Sequence, residues 1–197
     1  GRGEINISGF IGKRILHAWR FITNYNLPTK SKKDIQYHYD KGEDLYDLFL
    51  DKKHRQYSCA YFTKDDESLE DAQQNKINHI IKKLDLKSGQ KVLDIGCGNG
   101  DFAKKISNKV GQVYCLDTSQ EFINLCKINV ANKNNVKIFK LSNDYTNLSF
   151  LKNINFSIII ANSVVQYYES QEKIVDLVKS VKKIAVKNAY FLISDIE

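Results

Sequence analysis

Hydrophobic residues recur at helical spacing in the first part of the chain. Between residues 10 and 25, apolar side chains fall every three or four positions with lysine and arginine between them, which predicts a basic amphipathic helix. A second apolar stripe runs through residues 65–86, and Ser68 precedes it as a candidate N-cap. The pattern therefore predicts a helical N-terminal region over residues 1–86.

After Ser88 and Gly89, short apolar runs alternate with amphipathic stretches. The apolar runs predict five strands, at 91–95, 112–116, 136–141, 156–161 and 190–194. Helices are predicted between them, at 101–108, 120–131 and 171–186. Strands that alternate with helices are typical of a parallel sheet with crossover helices. We therefore expect an α/β fold with an open, Rossmann-like sheet over residues 87–197.

A glycine-rich turn follows the first predicted strand. Gly96, Gly98 and Gly100 come directly after a buried run that contains Asp94, and Asp101 opens the next helix. Glycine is needed where the backbone bends sharply and a ligand must approach the main chain. The turn predicts a nucleotide site, although its G-x-G-x-G spacing differs from the G-x-G-x-x-G of dinucleotide sites.

Polar residues stand at the ends of the later strands. They are Asp117 and Thr118 after the second strand, Asn143 and Asp144 after the third, and Asn162 at the end of the fourth. A single such residue is often only a cap of a helix or strand. Because the carboxyl ends of parallel strands meet at one edge of a sheet, we expect the whole set to face one ligand together with the glycine turn.

The glycine turn with its preceding acid resembles motif I of class I methyltransferases. The resemblance implies an S-adenosylmethionine cofactor, with its methionine end held by Asp94 and its ribose by Asp117. It also implies that the Asn143–Asp144 pair reaches the adenine amine and that Asn162 lies beneath the methyl donor. The implied fold is a class I methyltransferase sheet with an N-terminal helical cap over residues 1–86 that serves as a lid on the cofactor. Five strands are fewer than the usual seven, so a partial chain and a mixed origin are both compatible with the sequence.

Three ordered motifs before the turn resemble the cyclopropane fatty acid synthases and mycolic acid cyclopropane synthases. They occupy residues 36–46, 56–62 and 69–77, within a resemblance that covers residues 34–100. The resemblance implies that Tyr57 and Ser58 contact the cofactor. It implies a catalytic role for Cys59 near the sulfonium, where family members hold a bicarbonate ion as base. The implied substrate is an unsaturated acyl chain of a membrane phospholipid.

The later part of the chain differs from those synthases at three positions. Asn99 stands where they carry tryptophan, Asp117 where they carry threonine, and Gln166 where they carry the glutamate of a Phe-Glu-His sequence. Three functions therefore stay open. They are methylene transfer to a phospholipid acyl chain, methyl transfer to oxygen or nitrogen of another small-molecule acceptor, and a truncated or inactive S-adenosylmethionine-binding module.

Composition narrows the expected partners and compartment. A formal net charge of +7 favours contact with an anionic surface. The basic helix of residues 10–25 is thus a candidate for peripheral contact with the inner membrane surface, with packing on the domain as the equal alternative. No nucleic-acid motif accompanies the charge, so no nucleic-acid partner is expected. Four cysteines without a C-x-x-C pair, and no apolar run of membrane-span length, predict a cytoplasmic protein.

Overall fold

The computed structural model describes residues 48, 50–54, 56, 58–142 and 145–194. The basic segment 10–25 and the predicted cofactor contacts Tyr57, Asn143 and Asp144 lie outside the described residues. The helices are α1 (Leu69–Lys83), α2 (Asp101–Ile106), α3 (Gln120–Asn129) and α4 (Gln171–Ile184). The strands are β1 (Lys91–Ile95), β2 (Gln112–Asp117), β3 (Val136–Lys140), β4 (Phe156–Asn162) and β5 (Ala185–Ser194). Two short 3-10 helices, Ser149–Leu151 and Val165–Tyr167, flank β4.

The five strands form one sheet in the order β3-β2-β1-β4-β5, and every neighbouring pair is parallel. The chain builds outward from β1 to β3 and then returns to the other side of β1 with β4. The strand order therefore reverses between β1 and β4. In open α/β sheets, ligands bind at such a reversal, outside the carboxyl ends of the strands. The parallel sheet with flanking helices confirms the predicted α/β fold class.

Two apolar layers cover the sheet, because neighbouring residues of a strand face opposite sides. On β1, Val92 belongs to a buried cluster with residues of α1, α2 and α3. Leu93 and Ile95 belong to a second cluster with residues of α4. A side chain of this size stabilises the fold by roughly 1.5–3 kcal/mol when it is fully buried. The strand that leads into the glycine turn is thus held firmly from both sides.

Helix α1 begins where the candidate N-cap predicts. The hydroxyl of Ser68 accepts a hydrogen bond from the backbone N–H of Asp71 at 3.1 Å. The helix ends at Lys83, and Asp85 follows with a left-handed φ of 43°. A left-handed residue just past the last turn stops a helix, so α1 is shorter than the predicted span.

The junction between α4 and β5 differs from the prediction. The predicted helix runs too far and the predicted strand starts too late, because β5 begins at Ala185. Ala185 pairs with Phe156, and the next paired position is Tyr190 opposite Ile158. The residues between them form an irregularity in which Asn188 has a left-handed φ of 68°. Helical spacing of apolar residues continues into the start of the strand, so periodicity alone does not reveal the change.

Helix α1 belongs to the same compact unit as the sheet, a unit that covers residues 43–197. The predicted domain boundary between residues 86 and 87 stays a prediction. In the described part of the chain, none of the helices combines the length and apolar content that a membrane span requires.

Candidate functional site

The glycine turn runs from β1 into α2 at the carboxyl end of the sheet. The backbone N–H groups of Gly96 and Cys97 both donate to the carbonyl oxygen of Leu116 in β2, at 2.8 and 3.0 Å. Gly96, Gly98 and Gly100 have φ values of 70°, 54° and 81°. Residues with a Cβ seldom adopt these left-handed values. The backbone itself therefore favours glycine at all three positions.

The space around the three glycines differs. A Cβ at Gly96 would collide with Cγ2 of Val164, and a Cβ at Gly100 would lie 2.6 Å from Sγ of Cys126. A Cβ at Gly98 would meet no atom of the described residues within 4 Å. Gly98 thus presents the open side of the turn, where a ligand can approach the main chain.

Asp117 ends β2 and directs its carboxylate at the glycine turn. Oδ2 accepts a hydrogen bond from the N–H of Gly98 at 2.9 Å, and Oδ1 accepts one from the N–H of Ser119 at 2.9 Å. Burial raises the pKa of Asp117, and the backbone donors act against that shift. Each carboxylate oxygen has a second lone pair, so the group is able to accept further hydrogen bonds from a ligand.

Asp94 lies on the neighbouring strand, near the end of β1. It is 4% exposed, and its Oδ2 is a buried oxygen with no hydrogen-bond partner among the described residues. Burial, followed by the nearby Cys126 and Asp117, raises the pKa of Asp94 to about 8. A buried polar atom without a partner is costly. The arrangement therefore fits a ligand group that donates a hydrogen bond or carries a positive charge.

Tyr145 lies beside the glycine turn and was not identified from the sequence. Its hydroxyl lies 3.7 Å from the position that a Cβ at Gly96 would take, and its side chain hydrogen-bonds Thr118. Burial raises the pKa of Tyr145 above its usual value, so the phenol stays neutral. The predicted contact Thr118 is thus connected to the glycine turn through Tyr145.

Asn162 ends β4, where the sequence predicts it, but its side chain is engaged within the sheet. Its Oδ1 accepts a hydrogen bond from the hydroxyl of Ser194 in β5 at 2.6 Å. The next residue, Ser163, donates its N–H to the carbonyl oxygen of Ser194 at 2.7 Å. These contacts join the ends of two strands, in agreement with the strand-cap alternative. The role of Asn162 beneath a methyl donor stays a prediction.

Three buried cysteines lie behind the turn. The Sγ atoms of Cys97, Cys115 and Cys126 all lie within 4.8 Å of one another. They are free thiols in the apolar cluster between the sheet and α1, α2 and α3. Three thiolates form a ligand set for soft metal ions, whereas neutral thiols pack as small apolar side chains. Hydrogen bonds with Cys115 and Cys126, and then burial, raise the pKa of Cys97, whereas hydrogen bonds from Cys115 and Cys97 lower the pKa of Cys126 to about 4. Cys97 therefore stays a neutral thiol, and Cys126 is the acidic thiol of the group.

A network of hydrogen bonds joins residues 51–54, which precede α1, to the glycine turn and the start of α2. Nδ1 of His54 lies 2.7 Å from Oδ2 of Asp101, and Nδ2 of Asn99 donates to the His54 carbonyl oxygen at 2.7 Å. Asn129 of α3 donates to Oδ1 of Asp101 at 2.6 Å, and Asp51 accepts a hydrogen bond from the N–H of His54. The sequence did not identify these residues as a group, because their partners lie up to 47 positions apart.

Ser58 and Cys59, two predicted site residues, lie on the loop before α1. Nε2 of Gln73 donates to the Ser58 carbonyl oxygen at 2.9 Å, and Nζ of Lys76 donates to the Ser58 hydroxyl at 2.6 Å. Lys76 is 1% exposed, whereas Cys59 is exposed. Burial lowers the pKa of Lys76 to about 8, against the attraction of Cys59 and Asp51. A buried cation thus stands next to the loop that carries the exposed thiol.

A separate cavity of about 370 Å³ lies beside α1 and α2. It is lined by Asn78, Ile81, Lys82, Leu86, Lys105 and Lys109. None of these lining residues is a predicted site residue, so the cavity is distinct from the proposed site at the glycine turn.

Comparison with known proteins identifies the family to which the chain is similar. The family model described as mycolic acid cyclopropane synthetase matches residues 27–194. A probable fatty acid methyltransferase of Pseudomonas putida is 40% identical over 92 residues, which are 46% of this chain and 23% of that protein. The cyclopropane-fatty-acyl-phospholipid synthase of Escherichia coli K12 is 51% identical over 81 residues, which are 40% of this chain and 21% of that protein. The chain thus spans about a quarter of the length of these curated relatives.

Solved structures share the sheet and its helices. The cyclopropane synthase MmaA2 from Mycobacterium tuberculosis is 26% identical with a TM-score of 0.66, over 82% of this chain and 55% of that one. The mycolic acid cyclopropane synthase CmaA1, complexed with SAH and CTAB, is 27% identical with a TM-score of 0.62, over 78% of this chain and 53% of that one. These similarities confirm the predicted Rossmann-like methyltransferase sheet. Since the family model matches most of its length, the chain belongs to the mycolic acid cyclopropane synthetase family.

Proposed function

We propose that the chain binds S-adenosylmethionine at the carboxyl end of its sheet and transfers the methyl group to an unsaturated acyl chain of a membrane phospholipid. The observation that carries the proposal is the buried Oδ2 of Asp94, which has no partner among the described residues. The ammonium group of S-adenosylmethionine is a suitable partner, because hydrogen bonds between charged groups are strong. The CmaA1 structure contains SAH, which supports this class of cofactor.

The ribose is assigned to Asp117. Its carboxylate already contacts the N–H of Gly98, so it lies directly at the open side of the turn. A carboxylate with free lone pairs is able to accept from both ribose hydroxyls. Gly96 and Gly100 complete the turn, and Thr118 and Tyr145 form the adjoining wall. The further cofactor contacts in this proposal are Tyr57, Ser58, Asn143, Asp144 and Asn162.

The acceptor in this proposal is a lipid, in line with the names of the curated relatives. S-adenosylmethionine supplies an electrophilic methyl group. The electron pair of a cis double bond forms the new carbon–carbon bond as the carbon–sulfur bond breaks. The resulting carbocation loses a proton of the transferred methyl group to a base, and the electron pair of that C–H bond closes the cyclopropane ring. We assign that base to a bicarbonate ion near Cys59. The protein orients the two reactants and excludes water from the cation.

The proposal includes peripheral contact with the cytoplasmic surface of a membrane. The net charge of +7 favours an anionic surface, and the basic segment 10–25 has the composition of an interfacial helix. Binding to vesicles of anionic phospholipid that exceeds binding to neutral vesicles, and that weakens with salt, is the expected result.

The test is transfer of a labelled methyl group to lipid. The full chain is incubated with methyl-labelled S-adenosylmethionine and vesicles of cis-unsaturated phospholipid, and the lipid extract is counted. Vesicles of saturated phospholipid with the same headgroup are the matched control. Label in the unsaturated lipid alone supports the proposal, and label in neither lipid contradicts the lipid acceptor.

A second candidate is an S-adenosylmethionine-binding module without lipid chemistry, or a methyltransferase for another small acceptor. The favouring observation is Gln166, which is exposed on the 3-10 helix Val165–Tyr167 where the synthases carry a glutamate. An amide does not accept a proton at neutral pH, so base chemistry at this point is weakened. Cofactor binding measured by calorimetry without transfer to lipid would favour this candidate.

A further inference from the structure

We propose that Lys76 is a positioning residue, whose buried ammonium group holds the Ser58–Cys59 loop in the geometry that the cofactor requires. The inference rests on the proposed function, because the loop is assigned to the cofactor and the base there. In this inference, Lys76 acts by holding the loop and does not contact the reacting atoms.

Lys76 and Gln73 approach the loop from one face of α1. Residues three positions apart are neighbours on a helix surface. Nζ of Lys76 donates to the Ser58 hydroxyl at 2.6 Å, and Nε2 of Gln73 donates to the Ser58 carbonyl oxygen at 2.9 Å. Ser58 is thus held at a side-chain atom and at a main-chain atom. The adjacent Cys59 stays exposed while the loop beneath it is fixed.

The ammonium group is enclosed to a degree that is rare for lysine. Lys76 is 1% exposed, and lysine is almost never fully buried unless it is paired. The titratable groups of the described part that act on it are Cys59 and Asp51, both on the segment that it faces. Asp51 also accepts backbone hydrogen bonds from His54 and Gln56. Its carboxylate is therefore largely committed to the main chain of the same segment.

A rise in pH removes the charge on Lys76 and changes two properties in opposite directions. These are the contribution of Lys76 to the free energy of unfolding and the order of the Ser58–Cys59 loop. Burial lowers the pKa of Lys76 from 10.5 to about 8, so the unfolded chain binds more protons between these values. The contribution of this group to stability therefore rises as the pH increases from about 8 to 10.5. The hydrogen bond to Ser58 weakens over the same range, because a charged donor binds more strongly than a neutral one. A residue that served stability alone would not show loop order falling while stability rises.

The experiment compares K76M with K82M by amide hydrogen exchange of residues 58–62 in the full chain without cofactor. Methionine is unbranched and lacks only the terminal position of the lysine side chain, so it removes the charge and the hydrogen-bond donor, whereas Lys82 is an exposed lysine of the same helix. We expect K76M to lower the protection factors of the loop by roughly tenfold to a hundredfold, the size expected for a hydrogen bond to a charged group. K82M is expected to leave them unchanged. Cofactor affinity, measured by calorimetry at pH 7, is expected to fall in K76M alone.

The wild-type chain provides an independent reading if K76M does not fold. Its loop protection factors, corrected for intrinsic exchange, are expected to fall as the pH rises through about 8. Constant protection across this range, or equal protection in K76M and the wild type at pH 7, overturns the positioning role. If the wild type binds no S-adenosylmethionine, the proposed function fails, while the exchange data still decide the role of Lys76.

Discussion

At the scale of single residues, the buried carboxyl of Asp94 couples cofactor binding to proton release. Its pKa is raised to about 8, so it is mostly protonated at pH 7 in the free chain. Pairing with an ammonium group favours the ionised form. We expect S-adenosylmethionine binding at pH 7 to release close to one proton, measured by calorimetry in buffers of different ionisation enthalpy.

The substitution D94N provides the control for this proton release. Asparagine keeps the shape of the side chain and cannot ionise, so proton release is expected to disappear. The same raised pKa means that the folded chain binds more protons than the unfolded chain between about pH 4 and 8. The contribution of Asp94 to the free energy of unfolding should therefore decrease across this range. It is measured as the difference between the wild type and D94N, and a difference that rises with pH across this range would contradict the assignment.

The glycines of the turn provide a second prediction at this scale. Gly98→Ala places a Cβ in open space, so its cost is the left-handed φ alone, about 1–2 kcal/mol of unfolding free energy. Gly100→Ala carries the same backbone cost and also brings its Cβ to 2.6 Å from Sγ of Cys126. Urea unfolding should show that Gly100→Ala is the more damaging change. Adding Cys126→Ala to Gly100→Ala should recover part of the difference, and no recovery would argue against the steric cause.

Residues that follow a predicted strand were identified from the sequence, whereas their distant partners were not. Asp117 and the three glycines stand next to clear strand ends, and the structure brings Asp117 to Gly98. His54 and Asp101 are separated by 47 positions, and Lys76 lies 18 positions from Ser58. No local pattern encodes a contact across such distances, because packing of whole elements creates it.

At the scale of secondary-structure elements, the N-cap hydrogen bond of Ser68 stabilises the start of α1, the helix that carries Gln73 and Lys76. Ser68 accepts the N–H of Asp71 at 3.1 Å, so Ser68→Ala should cost about 1 kcal/mol of unfolding free energy. Ser170 occupies the same position in α4, where its side chain hydrogen-bonds the exposed Glu172 and makes no cap hydrogen bond to the backbone. Ser170→Ala therefore compares loss of an exposed side-chain contact with loss of a backbone cap, and it should cost less in thermal unfolding. A larger loss for Ser170→Ala would contradict the value assigned to the Ser68 cap.

The elements themselves follow from periodicity except where two patterns overlap. All five strands and the helices α1 to α4 lie where alternation and helical spacing predict them. The exception is the start of β5, where apolar residues continue the helical spacing while the backbone is already extended at Ala185. The pairing of Ala185 with Phe156 decides the conformation there, and that pairing is a property of the sheet.

At the scale of the whole molecule, burial separates one cysteine from the other three. Cys59 is exposed, whereas Cys97, Cys115 and Cys126 are buried in the apolar layer under α1, α2 and α3. Treatment of the native chain with iodoacetamide should modify Cys59 rapidly and the others only after unfolding in urea. Peptide mass mapping provides the measurement. Native labelling of Cys126 at the rate of Cys59 would show that the layer opens readily.

The network around His54 also implies an order of events during synthesis. Asp101 is shared between His54 and Asn129, so the site for His54 is complete only when α3 has formed. During synthesis the chain emerges from the ribosome with its N-terminal end first. The network that holds His54 is therefore incomplete until Asp101 and Asn129 have been made. Because β1 also needs β4 and α4 for its packing, pulsed proteolysis of stalled nascent chains should find the early segment open to cleavage before α4 is released and protected afterwards.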